Sequence, residues 1–281
     1  MAARQLIRRG LVSPTGKAVT LPVVRPNEGV ALAYRRRLER LVDVMHASLV
    51  YWLQACYRAN PPELGPELAL DASPAMTLRD LMNRLAHRWQ RRFDDAAPLL
   101  ARAFADSTLR CADNAFRAKL KDAGFAVEFH LSREANDAMQ ATIGENVALI
   151  KSIASQHLAE VQGLVMRSVQ TGRDVGGLAK ELQTRYGLTK RRAAFIAHDQ
   201  NSKATATITR VRQEGLGITE AIWLHSHGGR HPRESHLAAD GKRYTISEGM
   251  YLDGAWTWPG REPNCRCVSR SIIPALGAAS P

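Results

Sequence analysis

Residues 189–224 have the sequence TKRRAAFIAHDQNSKATATITRVRQEGLGITEAIWL, which contains the change that decides the fold. Thr189 is a good helix cap, and Ile196, Ile208 and Val211 recur with helical spacing before Gly215, a typical helix stop. Residues 218–224 then favour a β-strand. From His225 onward Gly, Pro, His and Trp are frequent. The pattern predicts a mainly α protein with a long-helix N-terminal body and a small, loop-rich α+β C-terminal module.

Apolar stripes upstream predict the other helices of the body. We expect helices over residues 34–56, from Pro74, from Pro98 to a C-cap at Gly124, over residues 134–171 with Gly144 as a candidate break, and from Asp174 to Tyr186. Alternating apolar residues predict one short strand over residues 125–131. The predicted domains are an extended arm (residues 1–29), a helical domain (30–140), a C-terminal domain (141–274) and a flexible tail (275–281).

The charge of the chain favours a polyanionic partner. Its 281 residues include 39 Lys and Arg against 27 Asp and Glu, a formal net charge of +12. A basic surface attracts nucleic acid, and only 6% of residues are aromatic, which argues against a base-stacking single-strand platform. We therefore expect contact with the phosphate backbone of double-stranded DNA, although solvated helix faces explain the same charges. The candidate contacts are Arg35, Arg36, Arg37, Lys190, Arg191 and Arg192.

Apolar runs are short and interrupted by charge, so no membrane-spanning helix is expected. Residues 1–10 have too little apolar sequence for a secretory signal, and we expect synthesis in a cytoplasm. Cys56 and Cys111 fall on apolar helix faces and are expected to be buried free thiols. Arg35, Arg36 and Arg37 crowd the first turns of the predicted helix, where positive charge opposes the helix dipole.

A possible metal site lies within residues 223–267. His236, Cys265, Cys267 and His225 are the candidate ligands, because two thiolates and one or two imidazoles satisfy a tetrahedral zinc ion. A structural Zn²⁺ would also add folding free energy to a short module. The alternative is that the cysteines pack in a turn and the histidines form local hydrogen bonds.

The same cluster has no recognised catalytic pattern. His231 and His236 are five residues apart, whereas the zincin motif needs two histidines four apart on a helix. The chain has no GxSxG elbow, no phosphate-binding P-loop and no zinc deaminase signature. We therefore expect a protein that is not an enzyme. A metal-dependent hydrolase or nuclease built on the His and Cys residues is the alternative.

Trp256 and Trp258 are candidate partner contacts, because Trp is enriched at interface hot spots. Two Trp residues in one loop can equally form a local core. If the Trp residues do contact a partner, His236, Cys265 and Cys267 would hold the turn that presents them.

The order of several motifs resembles the phage head morphogenesis family of Mu F-type minor head proteins. The resemblance covers residues 145–274 and is carried by Ile196-Ala197, Trp223, Arg230, His236, Asp240-Gly241 and Pro263-Asn264-Cys265-Arg266-Cys267. The chain has His198-Asp199-Gln200 where the family often carries an Arg-Thr-Glu-like run. Residues 225–229 replace an acidic residue that is usual in the family between the Trp and the Arg. The resemblance implies a minor capsid protein, present at few copies inside the virion, that contacts the portal or capsid proteins and assists head assembly or DNA passage.

Overall fold

The computed structural model describes residues 11–13, 17–59, 74–171, 175–228 and 231–275. It confirms a mainly α body with a small α+β module. The helices are α1 (Glu28–Ala59), α2 (Pro74–Asp122), α3 (Arg133–Gln170), α4 (Val175–Gly215) and the short α5 (Glu234–Ala238). The strands are β1 (Val19–Thr20), β2 (Glu220–Leu224), β3 (Arg243–Thr245), β4 (Met250–Leu252), β5 (Ala255–Thr257) and β6 (Val268–Ile273). In the described part of the chain, no helix is long and apolar enough to cross a membrane.

The predicted break at Pro98 is wrong, because α2 continues through this residue. Proline removes one backbone hydrogen bond and normally kinks or ends a helix. Here Ala97 and Ala101, on either side of Pro98, are fully buried, and so is Phe93 one turn earlier. Burial of this continuous face outweighs the local cost, as tertiary packing commonly overrides helix propensity.

Three further expectations about local structure are corrected. Gly144 does not break α3, and Gly187 does not end a helix, because α4 runs through it between the buried Leu182 and Ala193. The cap predicted at Asp174 lies outside the described residues. Helix α1 begins at Glu28, so Arg35 is already beyond the first turn and does not oppose the helix dipole there.

Residues 125–131 do not form the predicted strand. The segment is held by side-chain packing, because Phe125 is buried and the ring of Phe129 stacks on Phe116 at 5.7 Å. The C-cap at Gly124 is confirmed: its φ is +89°, and the next amide, that of Phe125, donates to the Leu120 carbonyl at 2.8 Å. The alternation therefore reflects a packed segment that pairs with no strand among the described residues.

The four-stranded sheet has the order β1-β6-β2-β3, and every pairing in it is antiparallel. Trp223 of β2 lies opposite Ser269 of β6, and its fully buried ring belongs to the main core cluster. Strands β4 and β5 form a separate hairpin. Asp253 and Gly254 at its turn both have positive φ, as a two-residue type I′ turn requires.

The chain divides into two compact units that are discontinuous in sequence. Unit 1 contains residues 1–31, 103–143 and 198–281, and unit 2 contains residues 32–102 and 144–197. This grouping differs from the successive predicted domains 30–140 and 141–274, because each long helix contributes residues to both units.

The described part of the predicted arm packs on its own chain. Val19 and Thr20 pair with the β6 residues Ile273 and Ile272, and Leu21 and Val24 are buried. The arm therefore supplies an edge strand to the sheet of unit 1. Residues 1–10, 14–16 and 276–281 lie outside the described residues, and they include nearly all of the predicted tail.

Unit 2 has a helical core with several buried polar contacts. Tyr34 donates to Asn146 at 2.9 Å. The His157 ring nitrogen Nδ1 lies 2.8 Å from the Thr189 hydroxyl, which itself donates to the Arg185 carbonyl. Since that hydroxyl has one proton, His157 Nδ1 must carry the proton of the imidazole–hydroxyl bond. Burial, followed by the nearby His46, lowers the pKa of His157 to about 4.

We predict that unit 2 loses stability in mild acid. Unfolded histidine titrates near 6.5, so the unfolded chain binds more protons than the folded chain between pH 6.5 and 4. The contribution of neutral His157 is present above this window and lost as pH falls through it, about 3 kcal/mol by pH 4. Burial also lowers the pKa of His46, which adds in the same direction. Denaturant unfolding of His157→Gln should show a flatter dependence on pH than the wild type.

The matched control is His87→Gln, which alters an exposed histidine of α2. It should leave the pH profile of unfolding unchanged. Parallel profiles for wild type and His157→Gln would contradict the assignment.

Candidate metal centre

The structure brings together three of the four predicted metal ligands. His236 lies on α5, and Cys265 and Cys267 lie in the loop that leads into β6. The Cys265 and Cys267 sulfurs are 3.4 and 3.6 Å from His236 Nδ1, and the three ligand atoms all lie within 4.8 Å of one another. All three residues are buried, with exposed fractions of 3–4%.

The loop before the cysteines is held against α4 at two points. The Asn264 amide donates to the buried Asp199 carboxylate at 2.6 Å, and Asn264 has a φ of +58°. Gly260 has a φ of +83°, and a Cβ built there would lie 2.9 Å from the Ala206 Cβ. Only glycine fits this approach without displacing a neighbour. The positions of the two thiols are therefore set by α4, which supplies none of the three clustered ligands.

The two thiols are electrostatically unequal. The hydrogen bond from the Cys267 thiol lowers the pKa of Cys265 to about 5, and backbone amides of Cys267 and Gly260 act in the same direction. The same hydrogen bond, together with burial, raises the pKa of Cys267. The hydrogen bond between them therefore favours the thiolate form at Cys265 and the thiol form at Cys267. A bound cation would favour deprotonation of both.

Trp223 closes one side of the cluster. Its ring meets the His236 imidazole edge-on at 5.2 Å between centroids. The buried indole Nε1 has no hydrogen-bond partner within ordinary geometry among the described residues. Its proximity to the Cys267 sulfur lowers the pKa of that thiol and so favours the thiolate form. A buried donor beside a sulfur would be satisfied by a thiolate that carries full negative charge, as in a metal–thiolate bond.

The fourth predicted ligand, His225, is outside the cluster. Its backbone amide donates to Asp240 at 2.8 Å, and its ring Nδ1 accepts the His227 amide at 3.0 Å. His225 and His231 do line a cavity of about 390 Å³ that also contains the three clustered side chains. Arg230, one of the residues that carry the resemblance, lies outside the described residues.

The ligand types and the short distances between the three ligand atoms both suit a metal ion. One imidazole and two thiols, with a cavity on the open side, match zinc held by three protein ligands and a fourth group. The local-packing alternative is also visible, because both sulfurs are within hydrogen-bonding distance of the imidazole. The three side chains can therefore hold a metal ion or form a buried hydrogen-bonded cluster.

The six predicted phosphate contacts all lie in unit 2, but their environments differ. Arg35 pairs with Glu39 at 2.8 Å, Lys190 pairs with Asp43 at 3.1 Å, and Arg192 bonds Ser152 and Gln156. Of these six residues, Arg36, Arg37 and Arg191 are exposed and have no ion pair among the described residues. Asp43 of α1 and Lys190 of α4 bring the two basic segments onto adjacent helices.

The two predicted partner contacts separate into one exposed and one packed residue. Trp256 is 56% exposed and pairs with Tyr251, its cross-strand neighbour, at 5.7 Å between ring centroids. Trp258 packs against the core, donates to the Ile246 carbonyl at 2.7 Å and lies between the guanidinium groups of Arg210 and Arg261. The hairpin therefore presents an aromatic pair, with Tyr251 as a member that the sequence did not single out.

Asp199 is the main residue of the site that the sequence analysis missed. The run His198-Asp199-Gln200 differs from the family pattern, yet Asp199 is 5% exposed and its carboxylate holds the cysteine loop through the Asn264 amide. Cys56 and Cys111 form no disulfide among the described residues, as expected, but they are half-buried and not buried.

Comparison with known proteins finds a family match in the region that contains the cluster. Residues 159–270, which include Asp199 and all three clustered ligands, match the family described as Phage Mu protein F like protein. This segment is Mu F-like. The match falls within the resemblance predicted over residues 145–274 and confirms it.

A protein of Haemophilus influenzae described as uncharacterized is 38% identical to the chain over 137 residues. The alignment covers 49% of this chain and 30% of that relative, so the chain spans less than a third of the relative's length. No solved structure matches the chain.

Proposed function

We propose that this protein is a phage minor head protein that acts without catalysis in head morphogenesis near the portal. The observation that carries the proposal is the Mu F-like segment over residues 159–270, because it contains the buried His236–Cys265–Cys267 cluster and the α4 residues that position it. The surfaces available for assembly are the aromatic pair of the hairpin and the basic face of unit 2. The protein would act inside the virion, in contact with portal or capsid proteins and with packaged DNA.

The cluster serves this function as a structural zinc site. His236, Cys265 and Cys267 would hold the ion, and a group from the adjoining cavity would complete its shell. Zinc would supply folding free energy and hold α5, the cysteine loop and the start of β6 together. The buried Trp223 indole supports this proposal, since a metal-bound Cys267 thiolate would satisfy it.

We predict one zinc ion per chain in protein purified without chelator. Cys265→Ser should remove nearly all bound zinc and lower Tm, because a hydroxyl is a much poorer zinc ligand than a thiolate. Metal analysis, together with the sulfur-to-metal absorption of cobalt-substituted protein, measures the site directly. Cys111→Ser alters a half-buried cysteine of α2 and should retain full zinc content. Native protein that is free of metal and as stable as after zinc addition would exclude the zinc site.

The aromatic pair Tyr251 and Trp256 is the proposed contact with the portal or a capsid protein. The pair is exposed on one face of the hairpin, whereas Met250 and Leu252 pack on the core from the other face. A rigid, anchored aromatic surface loses little conformational entropy on binding, which favours its use as an interface anchor.

We predict that Trp256→Ala folds normally but enters phage heads poorly. Complementation of a phage lacking the protein, followed by quantification of the protein in purified particles, measures this. Trp258→Ala should instead lower the free energy of unfolding by about 3 kcal/mol, because it empties a packed site. Phe195→Ala, at an exposed aromatic residue of α4, is the matched control and should incorporate normally. Phage that assemble full, infectious heads without this protein would refute the assembly role.

The basic face of unit 2 is proposed to contact the DNA backbone without reading its sequence. Arg36 and Arg37 are exposed on α1 and Arg191 on α4, so these guanidinium groups are available to phosphates. Arg40 is also exposed on α1, and it lines one open pocket together with Arg36, Arg37, Glu39 and Asp43. Binding through such contacts weakens steeply with salt because counterions are released.

We predict that the double variant Arg36→Gln/Arg37→Gln binds duplex DNA more weakly and lowers the slope of log affinity against log salt by about 2. Fluorescence anisotropy over a salt series measures both. Arg84→Gln/Arg88→Gln removes the same charge from exposed positions of α2 and should have a smaller effect. Equal losses would contradict the assignment to α1. Plasmid DNA should stay intact with and without divalent metals, and cleavage would instead favour the hydrolase or nuclease alternative.

A further inference from the structure

A second cavity, of about 340 Å³, lies in unit 1 next to the cysteine loop. One wall is a single face of α4, formed by His198, Ser202, Thr205 and Thr209 at spacings of four, three and four residues. Other walls are formed by residues 24–26 and by Glu28, the first residue of α1, and by the segment from Arg266 to Ser269. The volume is in the range of small-molecule sites in proteins.

The α4 wall of the cavity is unusually polar for a buried helix face. Ser202, Thr205 and Thr209 are 4–7% exposed. The Thr209 hydroxyl oxygen is buried and has no hydrogen-bond partner among the described residues. Leaving a buried hydroxyl unpaired is unfavourable, and such a group in a cavity wall indicates a polar occupant.

The charges of the lining favour an anion. Arg25 and Arg266 are exposed residues that line the cavity, and the Arg266 guanidinium donates to the carbonyl of Gly228, another lining residue, at 3.4 Å. Glu28 is the carboxylate of the lining, so two fixed positive charges face one negative charge. Arginine combined with hydroxyl donors is the set that recognises phosphate oxygens. Val24, Pro26 and Val268 make part of the lining apolar.

We propose that this cavity binds a phosphate-bearing small molecule, with the phosphate between Arg25, Arg266 and the α4 hydroxyls. The apolar walls and the volume leave room for an organic group attached to the phosphate, as in a mononucleotide. The shared chemistry is the phosphate group, which can come from a free phosphate ion or from a nucleotide. This site is separate from the duplex contact proposed for unit 2 and does not depend on the head-assembly role.

Isothermal titration calorimetry on the full chain at low ionic strength tests the proposal. The probes are inorganic phosphate, deoxyadenosine 5′-monophosphate and deoxyadenosine. Saturable one-site binding of the nucleotide but not the nucleoside supports the proposal. If phosphate binds as tightly as the nucleotide, the source is the free ion; if phosphate binds much more weakly, the source is the nucleotide. Nucleoside that binds as tightly as nucleotide, or no saturable binding by any probe, overturns it.

Two variants localise the site away from the metal ligands. Arg25→Gln should weaken nucleotide binding by roughly tenfold or more, because a charge-assisted hydrogen bond is lost. Thr209→Val should weaken binding several-fold without lowering Tm of the free protein, because it removes a hydroxyl that is unpaired there. Arg102→Gln, at an exposed arginine of α2, should bind as the wild type does. Unchanged affinity in both Arg25→Gln and Thr209→Val overturns the proposal even if a probe binds elsewhere.

Discussion

The close approach of residues 259–267 to α4 is the constraint on which the C-terminal module depends. Gly260 has no room for a side chain against Ala206, and the Asp199 carboxylate holds the Asn264 amide at 2.6 Å. These two contacts hold the loop at Gly260 and at Asn264, directly before the first cysteine in sequence. Because the hydrogen bond is to a buried carboxylate, its geometry is well determined and costly to break. Helix α4 thus determines where the thiols lie relative to His236.

The architecture was predictable from the sequence where one periodic signal dominates. Strand β2 was expected over residues 218–224 and occupies Glu220–Leu224, and the helix stop at Gly215 is confirmed. Continuity of the long helices was not predictable, because Pro98 and Gly187 are local breakers whose cost is outweighed by buried neighbours on the same face. The strand expected over residues 125–131 does not form for a different reason. A strand needs a partner from elsewhere in the chain, and alternation of apolar residues does not provide one.

Residue chemistry identified three members of the cluster but not the groups that position them. His236, Cys265 and Cys267 were predicted together, because few residue types bind zinc. His225 was predicted with them, yet Asp240 holds its backbone and the His227 amide occupies its ring nitrogen. Asp199 is 65 residues before its partner Asn264. Its role depends on the face of α4 that meets the loop, which spacing within a single helix does not specify.

The one-residue spacing between the cysteines has a physical consequence for both cavities. Burial along the segment alternates, with Cys265 and Cys267 buried and Arg266 exposed between them. Side chains that alternate in this way point to opposite sides of the backbone. Cys265 and Cys267 can therefore meet His236, while Arg266 between them lines both the cavity beside the cluster and the hydroxyl-lined cavity. With two residues between the cysteines, simple alternation would not place both thiols on one side of the backbone. The Cys265-Arg266-Cys267 motif therefore couples the position of the Arg266 cation to the positions of the thiols.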